Sequence, residues 1–288
     1  MPANALTVRG QELGEQLRVL RAESGMNLQS AARRIDMSPS QLSRLENGQR
    51  RAPVEVVTAL LATYGVTGQR RRTALALARE HDEHGWWQRD RPDLPSRQDT
   101  LAALESRADR IVNYEGVVIP GLLQTGEYTR ALLTEPGMEP RSSLEQCMLT
   151  RLRRQSVLLR RNSPDFVAII DEFALRRFVG GQDVLRRQLE YLLEAACRPN
   201  VEIRVLVNSG AHAGLRGPFC MVRQRSGQAV VMLENLTCSL FVEDPDDVVR
   251  YELAARKLLT RALDTPESTK LIATLAMEMD AEADCAWT

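Results

Sequence analysis

Along the first eighty positions, apolar residues recur at the three-and-four spacing of amphipathic helices. Leu13, Leu17 and Leu20 predict a helix over residues 10–23, ended by Ser24-Gly25. A second, over residues 28–35, carries Ala31 and Ala32 on one face, and Asp36-Met37 makes a tight turn after it. Ser38 is a good N-cap, and Pro39 then sits at the first helical position, where its missing N–H costs nothing. That third helix reaches Glu46 or Asn47 and stops at Gly48. Two more follow, over residues 53–64 and 67–81, separated at Gly65. The pattern predicts an all-α domain of five helices over residues 8–80.

Regularity breaks over residues 81–96, where Gly85, Trp86, Trp87, Pro92 and Pro95 read as a linker whose tryptophans pack against one domain. Leu101, Leu104, Ala108 and Ile111 then predict a helix over residues 97–115. A turn at Ile119-Pro120-Gly121, a short helix over 126–133 and a long one from Ser142-Ser143 to Arg161 follow. After that the period changes. Residues 166–170 and 201–207 read as strands around a helix over 184–197, and 219–224 with 229–233 as a hairpin closed by Arg225-Ser226-Gly227-Gln228. Residues 239–243 make one more strand, and helices over 245–263 and 266–279 close the chain. Residues 97–288 are therefore expected to form an α+β domain with a small, largely antiparallel sheet.

Composition narrows the classes. The 288 residues are 43% hydrophobic, with no apolar run of the roughly 20 residues a membrane span needs and no signal-peptide core at the start. A cytoplasmic protein is expected. Five widely spaced cysteines, with no C-x-x-C pair, predict neither a zinc site nor a disulfide framework. Net charge is zero, yet residues 1–80 hold twelve arginines against seven carboxylates, a surplus of five that the remainder offsets. A basic first quarter on a neutral whole fits a nucleic-acid-binding module joined to something else. Thirty-six arginines against two lysines reflect a GC-rich genome rather than function.

The second and third helices suit a supporting helix and a helix that enters the DNA major groove. Ala32 is small enough for close approach, and Ile35, Leu42 and Leu45 would face a core while Ser40, Gln41, Ser43 and Arg44 face outward. Asp36 suits a left-handed turn position. Leu-Gln-Ser-Ala-Ala-Arg-Arg-Ile-Asp-Met-Ser-Pro-Ser-Gln-Leu-Ser-Arg-Leu-Glu-Asn-Gly, residues 28–48, resembles the lambda-repressor-like (XRE) helix-turn-helix family. The resemblance implies that Gln29 binds a backbone phosphate and that Pro39, Ser40 and Arg44 occupy base-reading positions. Pro39 departs from the hydrogen-bonding residue usual there and offers only an apolar contact. Arg44 fits a bidentate pair with guanine O6 and N7. Gln41 is either a second base contact or a phosphate or surface glutamine. Ser43, Asn47, Arg50 and Arg51 are expected over the DNA backbone, where they add salt-dependent affinity. Glu46 would pair with Arg18 or Arg21, and the Arg70-Arg71-Arg72 cluster is either another phosphate contact or a solvated face.

Tyr114 to Leu133 (Y-E-G-V-V-I-P-G-L-L-Q-T-G-E-Y-T-R-A-L-L), with P-N-V-E-I-R-V-L, G-A-H-A-G-L-R-G-P-F and F-V-E-D, resembles a large actinobacterial family of XRE-type regulators. Its C-terminal domain is of unknown function, and the likeness covers essentially the whole chain. The resemblance implies a regulator, often encoded beside a small partner protein. Tyr114, Glu115, Gln124, Thr125 and Tyr128, with His212 from a Gly-rich loop, are candidates for an effector or partner pocket. Thr125 reads equally as a helix cap, and His212 as a residue satisfied within its own loop. The arginines of residues 151–161 either touch DNA or an acidic partner or simply face water. No Ser-His-Asp signature, Walker loop, H-E-x-x-H or dinucleotide fingerprint is present, and the residue two after His212 is Gly214 where a His-x-Lys phosphodiesterase pair needs lysine. No catalytic residue, metal or cofactor is expected. The sequence thus predicts a homodimeric regulator that binds double-stranded DNA and senses a ligand or partner through its C-terminal domain. The alternative is an antitoxin-like protein that sequesters a small partner and autoregulates its operon.

Overall fold

The computed structural model describes residues 8–50, 52–79, 86–89, 97–135, 143–207, 210–236 and 238–285. The chain divides into two compact units, Met1–Ala103 and Leu104–Thr288. The first holds helices α1 (Val8–Glu23), α2 (Leu28–Arg34), α3 (Pro39–Glu46), α4 (Val54–Thr63) and α5 (Gly68–Arg79), then a short strand β1 (Trp86–Arg89) inside the expected linker. The rest of that linker, including His81 and His84, lies outside the described residues, as do the tryptophan side chains. Helix α6 (Arg97–Ser106) crosses the boundary between the units.

The helical periodicity of the first unit reads directly into one core of Leu13, Leu17, Ala31, Ala32, Leu42, Leu45, Leu60, Leu61 and Leu77. Each such leucine contributes about 1.5–3 kcal/mol by leaving water. Two devices set how α1 and α3 meet. A Cβ built on Gly14 would lie 2.6 Å from the Glu46 carbonyl oxygen and 2.7 Å from that of Leu45, so the helices touch through bare backbone. One turn and more along α1, Arg21 donates from Nε and Nη2 to the two Glu46 carboxylate oxygens at 2.7 and 2.9 Å. It also donates to the Met26 carbonyl oxygen at 3.0 Å. Arg18 instead pairs with Glu15, so Arg21 is the partner of Glu46.

The second unit is α+β, but its sheet is neither small nor largely antiparallel. Six strands form one mixed sheet. They are β2 (Ala108–Glu115), β3 (Asp165–Asp171), β4 (Val201–Leu206), β5 (Phe219–Gln224), β6 (Ala229–Glu234) and β7 (Cys238–Val242), in the order β7-β6-β5-β2-β3-β4. Pairs β2–β3 and β3–β4 are parallel, and β2–β5, β5–β6 and β6–β7 antiparallel. Parallel neighbours need crossover connections. Helices α7 (Gly126–Thr134) and α8 (Leu144–Gln155) lie in the first, and α9 (Glu172–Leu175) and α10 (Gln182–Ala196) in the second. Helices α11 (Pro245–Arg261) and α12 (Thr265–Cys285) follow β7.

The correction traces to one segment. The helix expected over 97–115 stops at Ser106, and Ala108–Glu115 is the strand β2. Ile111, Val112 and Tyr114 are β-branched or aromatic, and burial on both faces hides the two-residue alternation that would have marked a strand. The helix expected to reach Arg161 likewise ends at Gln155 and tightens into a 3-10 turn, Ser156–Leu159. Its start is as read: Ser143 Oγ accepts from the Gln146 N–H at 3.2 Å.

Gly14→Ala tests the α1–α3 contact by the sign of its effect. On an open helix face this change stabilises by about 1 kcal/mol. Here overpacking against two carbonyls should destabilise by about 1–3 kcal/mol. Faster amide hydrogen exchange confined to α1 and α3 is the expected readout.

Candidate nucleic-acid interface

Backbone constraint builds the site before any side chain reaches outward. Asp36, between α2 and α3, holds a left-handed conformation at φ 53°, the only described non-glycine residue to do so. Asp tolerates that conformation better than most residues. Ser38 then closes a capping box: its Oγ accepts from the Gln41 N–H at 3.2 Å, and Gln41 Oε1 accepts from the Ser38 N–H at 3.0 Å. Leu42, Leu45 and Glu46 form the buried inner face of α3.

On that outer side Pro39, Ser40 and Arg44 are exposed, and Gln41 is half-buried. Arg44 Nε donates to the Ser40 carbonyl oxygen at 3.3 Å, which aligns the guanidinium with the first turn of α3. Asn47 Nδ2 donates to Ser43 Oγ at 3.4 Å just beyond. Gln29 is exposed in the first turn of α2, a helix capped by Asn27 Oδ1 accepting from the Ser30 N–H. Arg50 is exposed, and Arg51 lies outside the described residues. The α2–turn–α3 geometry therefore gathers Pro39, Ser40, Gln41 and Arg44 at one helix end. In the Gln41 pair the side-chain carbonyl is committed to the cap, so its amide N–H₂ is what remains to project. Arg33 and Arg34, exposed in the last turn of α2, add basic surface not singled out from the sequence, though two adjacent arginines before a turn were visible there. Arg70 is already engaged with Glu23 at 2.6 Å, and Arg72 with Gln69.

The candidate pocket of the second unit divides between the faces of the sheet. Successive strand residues point to opposite sides, so Tyr114 and Glu115 part company. Tyr114 lies buried on the side of α11, its ring against Phe219 and edge-on to His212 at a centroid distance of 6.1 Å. A Cβ on Gly214 would stand 2.3 Å from the Tyr114 ring, so the loop backbone approaches the ring only because residue 214 is glycine. His212 Nδ1 is buried without a hydrogen-bond partner among the described residues. Burial, then the Asp171 and Glu115 charges, push the Tyr114 phenol up to about 12.

On the opposite face the remaining candidates hold the fold together. Gln124 Nε2 donates to the Ile119 carbonyl oxygen at 2.7 Å, and its Oε1 accepts from Thr129 Oγ1. Thr125 Oγ1 caps α7 by accepting from the Tyr128 N–H, and Tyr128 Oη accepts from the Ile119 N–H. Glu115 sits near a charged group. Arg154 and Glu105, 6% and 0% exposed, make a bidentate pair at 2.8 Å. Burial opposes the Arg154 charge, but Glu105 more than compensates and the pKa rises. Arg151 packs beside Gly121, and its pKa is lowered to about 10 by burial and by the neighbouring Arg154. Burial pushes the Glu115 carboxyl up to about 7, against a hydrogen bond from Asn113. The arginines of this stretch thus part: Arg153, Arg160 and Arg161 face water, while Arg154 is buried in an ion pair.

The first unit defines the class: a helix-turn-helix DNA-binding regulator. Residues 12–74 match a helix-turn-helix domain. Residues 98–274, more than half of the chain, match the domain of unknown function DUF5753, and the chain belongs to that family. No curated protein matches it. Among the described residues, no helix is long and apolar enough to cross a membrane.

The Glu115 shift predicts a pH dependence. A carboxyl whose pKa is raised by folding stabilises the native state fully below its unfolded pKa, and that contribution is lost as pH rises through about 7. The unfolding midpoint of the second unit should therefore fall between about pH 4.5 and 7. Glu115→Gln should flatten that fall, removing on the order of 1–3 kcal/mol of pH-dependent stability. Separately, Arg154→Ala should destabilise this unit by about 3–5 kcal/mol in urea unfolding, because it strands the buried Glu105 carboxylate.

Proposed function

We propose that the chain is a sequence-specific transcriptional regulator of the lambda-repressor-like kind, acting as a homodimer on double-stranded DNA with α3 in the major groove. The observation that carries this reading is the set Pro39, Ser40 and Arg44, exposed beside half-buried Gln41 at the capped start of α3, next to a supporting helix that buries Ala31 and Ala32. Arg44 reads guanine through O6 and N7, Ser40 and Gln41 contact neighbouring base edges, and Pro39 packs against them. Gln29, Ser43, Asn47, Arg50 and Arg51 bind phosphates and set register. Two half-sites recover the affinity that one small module lacks.

The second unit carries dimerisation and receives the signal. For an effector, the Glu115 side of β2 is the better candidate. Glu115 and Arg151 bring opposite charges to one partly buried place, whereas Gln124, Thr125 and Tyr128 already use their polar atoms within the fold.

Selection of bound sequences from a random DNA pool, followed by titration over a salt series, tests the DNA reading. Arg44→Ala should relax preference at one guanine position, with about 1–3 kcal/mol of discrimination lost. Arg50→Ala should weaken all sequences alike and reduce the salt slope by about one. If neither variant changes binding, α3 is not the reading helix.

A further inference from the structure

Helix α11 packs its inner face, Val248, Ala255 and Leu258, against the sheet, together with Tyr251, whose ring meets Phe219 at 5.4 Å. Its outer face is not what a solvated helix needs. Val249 and Leu253, one turn apart, are 59% and 51% exposed. Asp246 lies one turn before them, and Arg256 and Lys257 one turn after, all exposed. Among the described residues, none of these three charges is held in an ion pair. Leu215 adds 68%-exposed apolar surface from the adjoining loop, which Arg261 ties to α11 by donating to the Ala211 carbonyl oxygen at 2.6 Å.

Read along α11, the outer stripe is acid, apolar, apolar, base, with the exposed Arg250 between the two aliphatic residues paired to Asp247 at 3.1 Å. Such an order is complementary to itself when reversed. Laying a second α11 antiparallel, about a two-fold axis level with residue 251, sets Val249 against Leu253 twice. It also sets Asp246 against Arg256 and Lys257 at both ends. That is the isologous arrangement of a C2 pair, in which each contact occurs twice. Acids early and bases late suit the dipole of any helix. Here, though, the same face carries two exposed aliphatic side chains between them, and burial of those side chains drives association.

We propose that α11 is the self-association face of the second unit, and that its partner is a second copy of this chain. The proposal rests on the homodimer reading above and specifies where the dimer forms. The charges at its ends set the antiparallel register and exclude a parallel one, in which acid would face acid and base would face base.

The test uses the full chain in native mass spectrometry and sedimentation over a concentration series. Asp246→Arg and Arg256→Asp each place like charges at both ends of the stripe. Each should raise the dimer dissociation constant at least about tenfold, with the far-ultraviolet circular dichroism unchanged. Mixed one to one, the two variants should restore association as a heterodimer, because every reversed charge then meets its opposite. Recovery by mixing is an effect that misfolding or a distant structural role does not produce. A wild-type chain that stays monomeric throughout overturns the homodimer reading and this proposal together. A wild-type dimer that both variants leave intact, or that mixing fails to restore, overturns the α11 assignment alone and places the dimer elsewhere.

Discussion

Strand β2 is the constraint on which the second unit depends. It joins a parallel half, β3 and β4, to an antiparallel half, β5 to β7, so neither side of it is an edge. Both its faces are covered as well. One is apolar, with Val112 and Tyr114 in the core beneath α11. The other carries Asn113 and Glu115, and the charged pair Glu105–Arg154 lies near it. A strand so placed cannot alternate simply between oil and water. Asn113 shows the compromise: its side-chain N–H₂ has the Phe219 and Tyr114 carbonyl oxygens and Glu115 as acceptors, so the donor end of a polar side chain in the middle of a sheet is satisfied.

The first unit solves a different problem, holding a short helix rigidly enough to present side chains. Bare backbone contact at Gly14, the Arg21–Glu46 pair and the Ser38–Gln41 box all act on α3, at its two ends. Of the outward positions, Gln41 closes the box and Ser40 Oγ lies 3.1 Å from Ser38 Oγ, while Arg44 takes no part in these contacts. Arg44 therefore sits on a support whose stability is decided by other residues, and its substitution leaves that support in place.

What was legible in the sequence follows from which signals were local. Helices with caps declared themselves: Ser38, Thr125 and Ser143 each accept the N–H bond their position called for. The strand at 166–170 was visible as a short apolar run and the hairpin through Gly227, which takes φ 88°. Parallel pairing was half visible: the strands at 166–170 and 201–207 with a helix between them are the β3–β4 crossover unit, but the β2–β3 pair was hidden. With residues 108–115 read as helix, the central strand that joins the parallel half to the hairpins was missing. The division of the candidate pocket was likewise hidden. Tyr114 and Glu115 are neighbours in sequence, and only the assignment of a strand sends them to opposite faces. Arg154 looked like one of several surface arginines, since nothing local distinguishes it. Its partner Glu105 stands 49 residues earlier.

The capping box at Ser38–Gln41 carries a consequence for how this helix can change. A glutamine that reads adenine needs both its carbonyl and its amide, and the carbonyl of Gln41 is already engaged by the Ser38 N–H. Residue 41 thus serves the helix first, and any new base preference there comes at the expense of the turn that positions it. Position 44 is under no such obligation, whereas Ser40 Oγ itself lies 3.1 Å from the capping Ser38 Oγ. On the proposed DNA-reading role of this helix, divergence of binding preference among duplicated copies would run chiefly through position 44, while 41 stays fixed as part of the scaffold.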